Sequence, residues 1–237
     1  MPDSRPSVGV DAGVDAQIDR VAVLAEPVRR TLYRYVAGQR EPVSREQAAA
    51  ATGVAVHAAK FHLDRLEADG LLAAEYRRPH GRGGPGAGRP AKLYRRAAGD
   101  IAVHLPERRY ELAARVMAEA ISRSLRDGSP IDTALRASAG ETGRELGAGL
   151  PKAASNAAEL LTAVAEVLAS QGFEPRCTQH CIELGNCPFH ALAADYTELV
   201  CGMNLDLIRG LLAAVDAHGL SAALEPAPDR CCVVVRD

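Results

Sequence analysis

The stretch SREQAAAATGVAVHAAKFHLDRLEADG, residues 44–70, decides the fold of the N-terminal half. Ser44 with Gln47 three residues on reads as a capping box. The hydroxyl takes an orphan helix amide, and the glutamine side chain reaches back to the Ser44 amide. A short helix over 45–51 follows, and Thr52-Gly53 is a tight turn, because glycine takes the left-handed conformation that ends a helix. A second helix spans 55–69, with Ala59, Leu63 and Leu66 on one face and Gly70 as its stop. The short helix braces the longer one at a steep angle, which is the arrangement of a helix-turn-helix whose second helix lies in a major groove.

Working outward, Ile18, Val21, Leu24, Val28, Leu32 and Val36 recur at helical steps over 17–36. Pro27 divides this run into two pieces and starts the longer one, where its missing N–H costs nothing; Gly38 ends it. Downstream, 71–78 and 92–96 read as strands. Between them His80-Gly81-Arg82-Gly83-Gly84-Pro85-Gly86-Ala87-Gly88-Arg89-Pro90 is too rich in Gly and Pro to pack a core, so it is a mobile loop. Helices, strand, basic loop and strand in this order make a winged helix-turn-helix over 17–97. On its second helix His57, Lys60 and Asp64 are expected to face outward, His57 and Lys60 near the N-terminus, within reach of base edges or phosphate. Phe61 and His62 fit either face. In the wing, Arg82, Arg89 and Lys92 suit phosphate contact; a merely solvated basic loop is the competing reading.

These residues also carry a family resemblance. Leu24-Ala25-Glu26-Pro27-Val28-Arg29-Arg30, Lys60-Phe61-His62-Leu63-Asp64-Arg65-Leu66 and Gly88-Arg89-Pro90-Ala91-Lys92-Leu93-Tyr94 resemble signature stretches of ArsR-like winged-helix repressors, in particular the SufR-like iron–sulfur-sensing branch. One departure is Ala55, where many relatives have a Ser or Thr helix cap. The resemblance implies binding to a double-stranded DNA operator.

The charge distribution agrees. The net charge of the 237 residues is −2, but residues 17–100 carry 15 Lys and Arg against 9 Asp and Glu, and residues 101–237 carry 12 against 18. Only the first half is fitted to meet phosphate. Residues 1–16 lack the apolar core of a signal peptide and read as a disordered acidic tail. No apolar run approaches the roughly 20 residues that span a bilayer, so the expectation is a cytoplasmic protein away from membranes.

Residues 98–106 read as a linker to a second domain over 107–237, helical and α+β. Helices are expected over 107–126, 130–146, 154–170, 192–201 and 205–218, the last two parted by Gly202. Strands are expected as a pair within 173–184 and at 221–224 and 231–235. Leu112, Val116, Ile121 and Leu125 of the first helix point to a core, and this long amphipathic helix is also the candidate interface of a homodimer, as two-fold operators require. The fold class is mainly α with small β.

All six cysteines fall at 177, 181, 187, 201, 231 and 232. In a cytoplasmic chain such clustering favours metal or redox chemistry over structural disulfides. Asn186-Cys187-Pro188-Phe189, Leu199-Val200-Cys201 and Asp229-Arg230-Cys231 resemble the SufR-like pattern, which implies Cys187, Cys201 and Cys231 as ligands of an iron–sulfur cluster. Zinc accepts the same thiolates. Cys187 at a helix start is favoured as thiolate, and Cys201 at the far end of the same helix requires the chain to bend back. Cys231 and Cys232 would point to opposite faces of a strand, so only one should ligate. The fourth ligand stays open between His190, on the helical face of Cys187, and Cys177, His180, Cys181 or Cys232. No P-loop lysine motif, nucleophile elbow, HExxH or CxxC is present, so the expectation is not an enzyme. The functions left are a cluster- or redox-responsive repressor, a zinc-stabilised regulator of small-molecule response and, from a different class, a thiol or iron–sulfur redox enzyme.

Overall fold

The computed structural model of the chain describes residues 11–77, 90–151, 157–178, 180–215 and 219–237. These form two compact units, one over 11–103 and one over 104–237.

The N-terminal unit opens with α1 (Asp11–Ala22) and a 3-10 turn at Val23–Ala25. Helix thus begins inside the stretch expected to be a disordered tail. α2 (Pro27–Ala37) starts on Pro27, and the Glu26 carboxylate caps it by accepting from the amides of Val28 and Arg29 at 3.0 and 2.6 Å. α3 (Arg45–Thr52) carries both bonds of the Ser44–Gln47 capping box and ends at Gly53, φ 72°. α4 (Val56–Ala68) follows Ala55, which offers no side-chain cap. Arg20 of α1 donates to the carbonyls of Asp69 and Gly70 at 3.1 and 2.8 Å, tying α1 to the end of α4. The sheet has the order β1-β3-β2, with β1 (Val43–Ser44), β2 (Leu72–Arg77) and β3 (Ala91–Arg96), all antiparallel. The two-residue β1 was not foreseen; it exists because the chain entering α3 pairs with Leu93 and Tyr94. Leu32, Ala59, Leu63, Leu66, Leu72 and Tyr94 centre the core.

The C-terminal unit contains α5 (Tyr110–Asp127), α6 (Ile131–Gly147), α7 (Ala157–Ser170), α8 (His190–Asp195) and α9 (Thr197–Ala213). Its antiparallel sheet runs β4-β5-β7-β6, with β4 (Pro175–Cys177), β5 (Cys181–Leu184), β6 (Ser221–Leu224) and β7 (Val233–Arg236). Ile182 and Leu184 of β5 with Val233 and Val235 of β7 join α7 and α9 in one core, where Phe173 meets Phe189 edge-on at 6.1 Å. α6 and α9 approach closely because glycines lie between them: a Cβ on Gly143 would stand 1.9 Å from the Leu207 carbonyl oxygen, and one on Gly210 would stand 2.1 Å from that of Gly140.

Three expectations are corrected. α9 runs straight through Gly202, and the break falls at Tyr196, φ −132° and ψ 56°, between α8 and α9. On α5 the buried face is Ala113, Val116 and Ala120, while Ile121 and Leu125 are exposed. Small side chains on that face let α6 pack close, and the larger residues fall on a separate stripe. Cys231 and Cys232 precede β7 rather than belonging to it, Cys232 at a bend, so strand alternation does not separate them.

Candidate functional sites

On α4, Ala59, Leu63 and Leu66 are buried, which turns His57, Lys60 and Phe61 outward. Phe61 is 67% exposed, a large apolar surface on a helix with a filled inner face. His62 turns back toward α2, its Nδ1 3.7 Å from the capping carboxylate of Glu26. Asp64, expected to face outward, instead turns in toward β3, because Lys92 and Tyr94 there offer it donors. It accepts from Lys92 Nζ at 2.7 Å and from the Tyr94 hydroxyl at 2.6 Å, and pairs with Lys60 at 3.2 Å. Burial would raise its pKa, but the donors from Lys92, Tyr94 and Lys60 win and hold it at about 2. Lys92 also donates to Glu67 and sits 5.1 Å from the centroid of the Tyr94 ring. Its pKa lies above the ordinary value although burial opposes this. Lys92 is therefore engaged in bracing β3 to α4 rather than held out toward phosphate. Arg82 and Arg89 lie outside the described residues.

Residues 24–74, from the 3-10 turn through α2, α3 and α4 into β2, match the family model of a helix-turn-helix domain. The N-terminal unit is a helix-turn-helix DNA-binding domain. The chain carrying it is a DNA-binding transcriptional regulator. No curated protein and no solved structure matches the chain. No helix among the described residues is long and apolar enough to cross a membrane.

A second candidate site is a run of thiols inside the C-terminal unit. Cys187 lies in the turn before α8, Cys201 is buried within α9, and Cys231 and Cys232 lie just before β7. The break at Tyr196 is what lets Cys201 return toward Cys187. The thiols influence one another as successive neighbours, Cys187 with Cys231, Cys231 with Cys232, and Cys232 with Cys201. Its neighbours Cys187 and Cys232 push the pKa of Cys231 up, with burial adding to the rise. Burial, then the neighbouring Cys232 thiol, pushes Cys201 up to about 12. The other two move the opposite way. Cys187 is lowered by Cys231 against the cost of burial, with Arg108 helping. Cys232 is brought down to about 6 by Cys231 against the cost of burial, with Cys201 and Arg230 assisting. Asn204, one turn beyond Cys201 on α9, donates from Nδ2 to Cys231 Sγ at 3.3 Å.

The donor set suits a thiolate-bound centre: four sulfurs, a buried amide donor and two nearby guanidinium groups, on three separate chain segments. Among the described residues no group of three or more His, Cys, Asp or Glu side chains is placed so that it could hold a metal ion as it stands. The thiols meet pairwise along a chain instead. His190 is exposed at the start of α8; its backbone amide donates to the Cys187 carbonyl at 3.0 Å, and its ring has no hydrogen bond to the four sulfurs. Cys177 and Cys181 lie at the β4–β5 hairpin, Cys181 with its Sγ 3.2 Å from Thr178 Oγ1. His180, in the same turn, has Nδ1 2.9 Å from Asp237 Oδ2. That hairpin cluster is not part of the four-thiol run.

The loop bearing Cys187 is also bolted to the start of α5. Asn186, 6% exposed, donates Nδ2 to the carbonyls of Glu107 and Gly172 at 2.9 and 2.7 Å, and its Oδ1 accepts from Arg108. Arg108 donates as well to the Cys187 carbonyl at 3.3 Å, and the Arg109 amide donates to that of Pro188 at 3.1 Å. Sequence reading missed Asn186, Asn204 and Arg108. The one available signal was an asparagine inside the apolar helical run of α9, where only a buried partner makes such a residue useful.

Proposed function

We propose that this regulator is a cytoplasmic, homodimeric repressor whose C-terminal unit is an effector domain, in which Cys187, Cys201, Cys231 and Cys232 bind an iron–sulfur cluster that sets operator affinity. The observation that carries this reading is the meeting of four thiols from three segments in the interior of a unit attached to a DNA-binding domain. The resemblance of three of them to the SufR-like pattern supports it. Cys232 is the fourth ligand in this reading, in place of His190. When bound, such a cluster supplies a centre sensitive to redox state and oxygen that ties α9 and the approach to β7 to the Cys187 loop. A single zinc ion, the alternative, needs its thiolates drawn round one point; pairwise neighbours suit a cluster that takes one thiolate per iron. The regulator acts by binding rather than catalysis.

Its residues divide the work. Cys187 reports the state of the site to the start of α5 through Asn186 and Arg108. The exposed stripe of α5, Ala114, Ala118, Ile121 and Leu125, repeats at steps of four, three and four, the spacing of a helix-pair seam. Glu111 and Arg126 lie at opposite ends of that stripe, so an antiparallel pair of α5 helices sets each against its opposite charge. A second copy of the chain is the partner this stripe fits.

The test is anaerobic purification of the full chain, followed by iron and sulfide analysis, a visible spectrum and operator titration before and after removal of the centre. The cluster spectrum and the holo–apo difference in operator affinity should both disappear on replacing any of the four cysteines by Ser, and both should survive His190→Ala. A quadruple Ser variant that keeps a metal-dependent change in DNA affinity would sink the site. Stoichiometric zinc without colour would favour the alternative.

A further inference from the structure

Asn204 is 1% exposed, on a stretch of α9 whose buried neighbours are Val200, Met203, Leu205, Leu207 and Ile208. An amide in such surroundings costs stability unless its polar atoms are paired. Asparagine is also a poor residue for a helix interior. Here only half of the side chain is paired: Nδ2 donates to Cys231 Sγ at 3.3 Å, and Oδ1 is buried with no partner. Leucine would fill the same space with neither cost. What the asparagine provides that leucine lacks is one N–H aimed at one sulfur.

We infer that Asn204 is a positioning residue for the Cys231 sulfur, holding it by an N–H···S hydrogen bond that stabilises the charge it carries as a metal ligand. This rests on the metal–thiolate reading above. Asn204 lies three residues after Cys201 on the same helical face, so one turn of α9 supplies both a ligand and the donor that orients a second ligand arriving from the other end of the unit. Donors to ligand sulfur withdraw charge from the centre, favour its more reduced state and fix the ligand's direction. The orphan Oδ1 is the cost of placing that donor.

The test compares the full-length wild-type chain with Asn204→Leu, both purified anaerobically, and uses Co(II) as a second probe of the thiol site. In the metal-free state Asn204→Leu should melt no lower than wild type, because it removes an unpaired buried acceptor. In the loaded state its sulfur-to-metal charge-transfer bands should shift and its reduction potential should fall. Loss of metal to a chelator should quicken by about 10- to 100-fold, the usual effect of removing an outer hydrogen bond. Asn204→Ser, which keeps a donor of shorter reach, should lie between the two. If wild type loads and Asn204→Leu matches it in spectrum, potential and chelator rate, the inference falls while the metal reading stands. It falls equally if the variant only loses thermal stability. A wild-type chain that takes up neither cluster nor Co(II) overturns the metal reading and the inference with it.

Discussion

Phe61 shows what a single residue contributes beyond its type. Its ring is 67% exposed beside His57 and Lys60, because Ala59, Leu63 and Leu66 already fill the inner face of α4. Exposed aromatic surface on a recognition helix is suited to the methyl group of thymine. Phe61→Ala should therefore weaken specific operator binding by about 1–3 kcal/mol while leaving the melting temperature nearly unchanged; equal losses on specific and random DNA would argue against base contact. Asp64 is the opposite case, a charged residue turned inward to Lys92 and Tyr94. Its folded pKa of about 2 lies below the ordinary 3.8, so the unfolded chain binds the proton more readily. The stabilisation is complete above about pH 4 and is lost as pH falls through the folded value. The melting-temperature gap between wild type and Asp64→Ala should be constant from pH 5 to 7 and narrow toward pH 2. A gap independent of pH would mean that the contribution is packing rather than charge.

At the scale of elements, what the sequence made legible was local. The Ser44–Gln47 box, Pro27 at a helix start and Gly53 at a helix end each act through neighbours a few residues away, and each lies where that chemistry puts it. What it hid was set by partners distant in sequence. β1 exists through Leu93 and Tyr94, and the inner face of α5 is chosen by α6. Among the thiols, Cys232 joins Cys231 because the chain bends before β7, which alternation along an assumed strand could not register. Glycine illustrates the same division. Gly202 reads as a helix break, yet it is helical, and nothing lies within 4 Å of a Cβ placed there. Gly202→Ala should stabilise the chain by about 0.5–1 kcal/mol through helix propensity. Gly143→Ala makes the same propensity gain but drives a methyl into the backbone of Leu207 and Leu211, at 1.9 and 2.8 Å, and should lose about 1–3 kcal/mol or more. Thermal melts with the same sign for both would mean that α6 can move off α9. The exposed stripe of α5 gives a third measurement. Leu125 is 84% exposed, so Leu125→Glu should leave the monomer's stability within about 0.5 kcal/mol of wild type and shift sedimentation from dimer to monomer. An unchanged sedimentation profile would move the dimer contact elsewhere.

For the whole molecule the question is how a buried thiol site could reach a DNA-binding domain. The boundary between the compact units falls between Val103 and His104. At Glu107 and Arg108, just past that boundary, the chain is held by the loop that carries Cys187: Asn186 bonds the Glu107 carbonyl, and Arg108 bonds Asn186 and the Cys187 carbonyl. In the proposed reading, a centre that moves Cys187 would pull on the point where the chain leaves the C-terminal unit. No long relay of packed side chains is needed, only a loop with two positions and a peptide fastened to it. Coupling between sites in regulators amounts to about 1–3 kcal/mol, a range that a few such hydrogen bonds can transmit. Arg108→Ala cuts two of them and leaves the four cysteines in place. The variant should load its centre as wild type does, by iron, sulfide and visible spectrum, while its holo and apo operator affinities converge. The double variant with Asn186→Ala should add little to that convergence, since both side chains serve one junction, although the melt should drop further because the Glu107 and Gly172 carbonyls lose their donor. An Arg108→Ala protein that loads normally and keeps the full holo–apo ratio would show that the signal leaves the thiol site by another path, with α9 the next element to test, since it holds Cys201 and packs along α6.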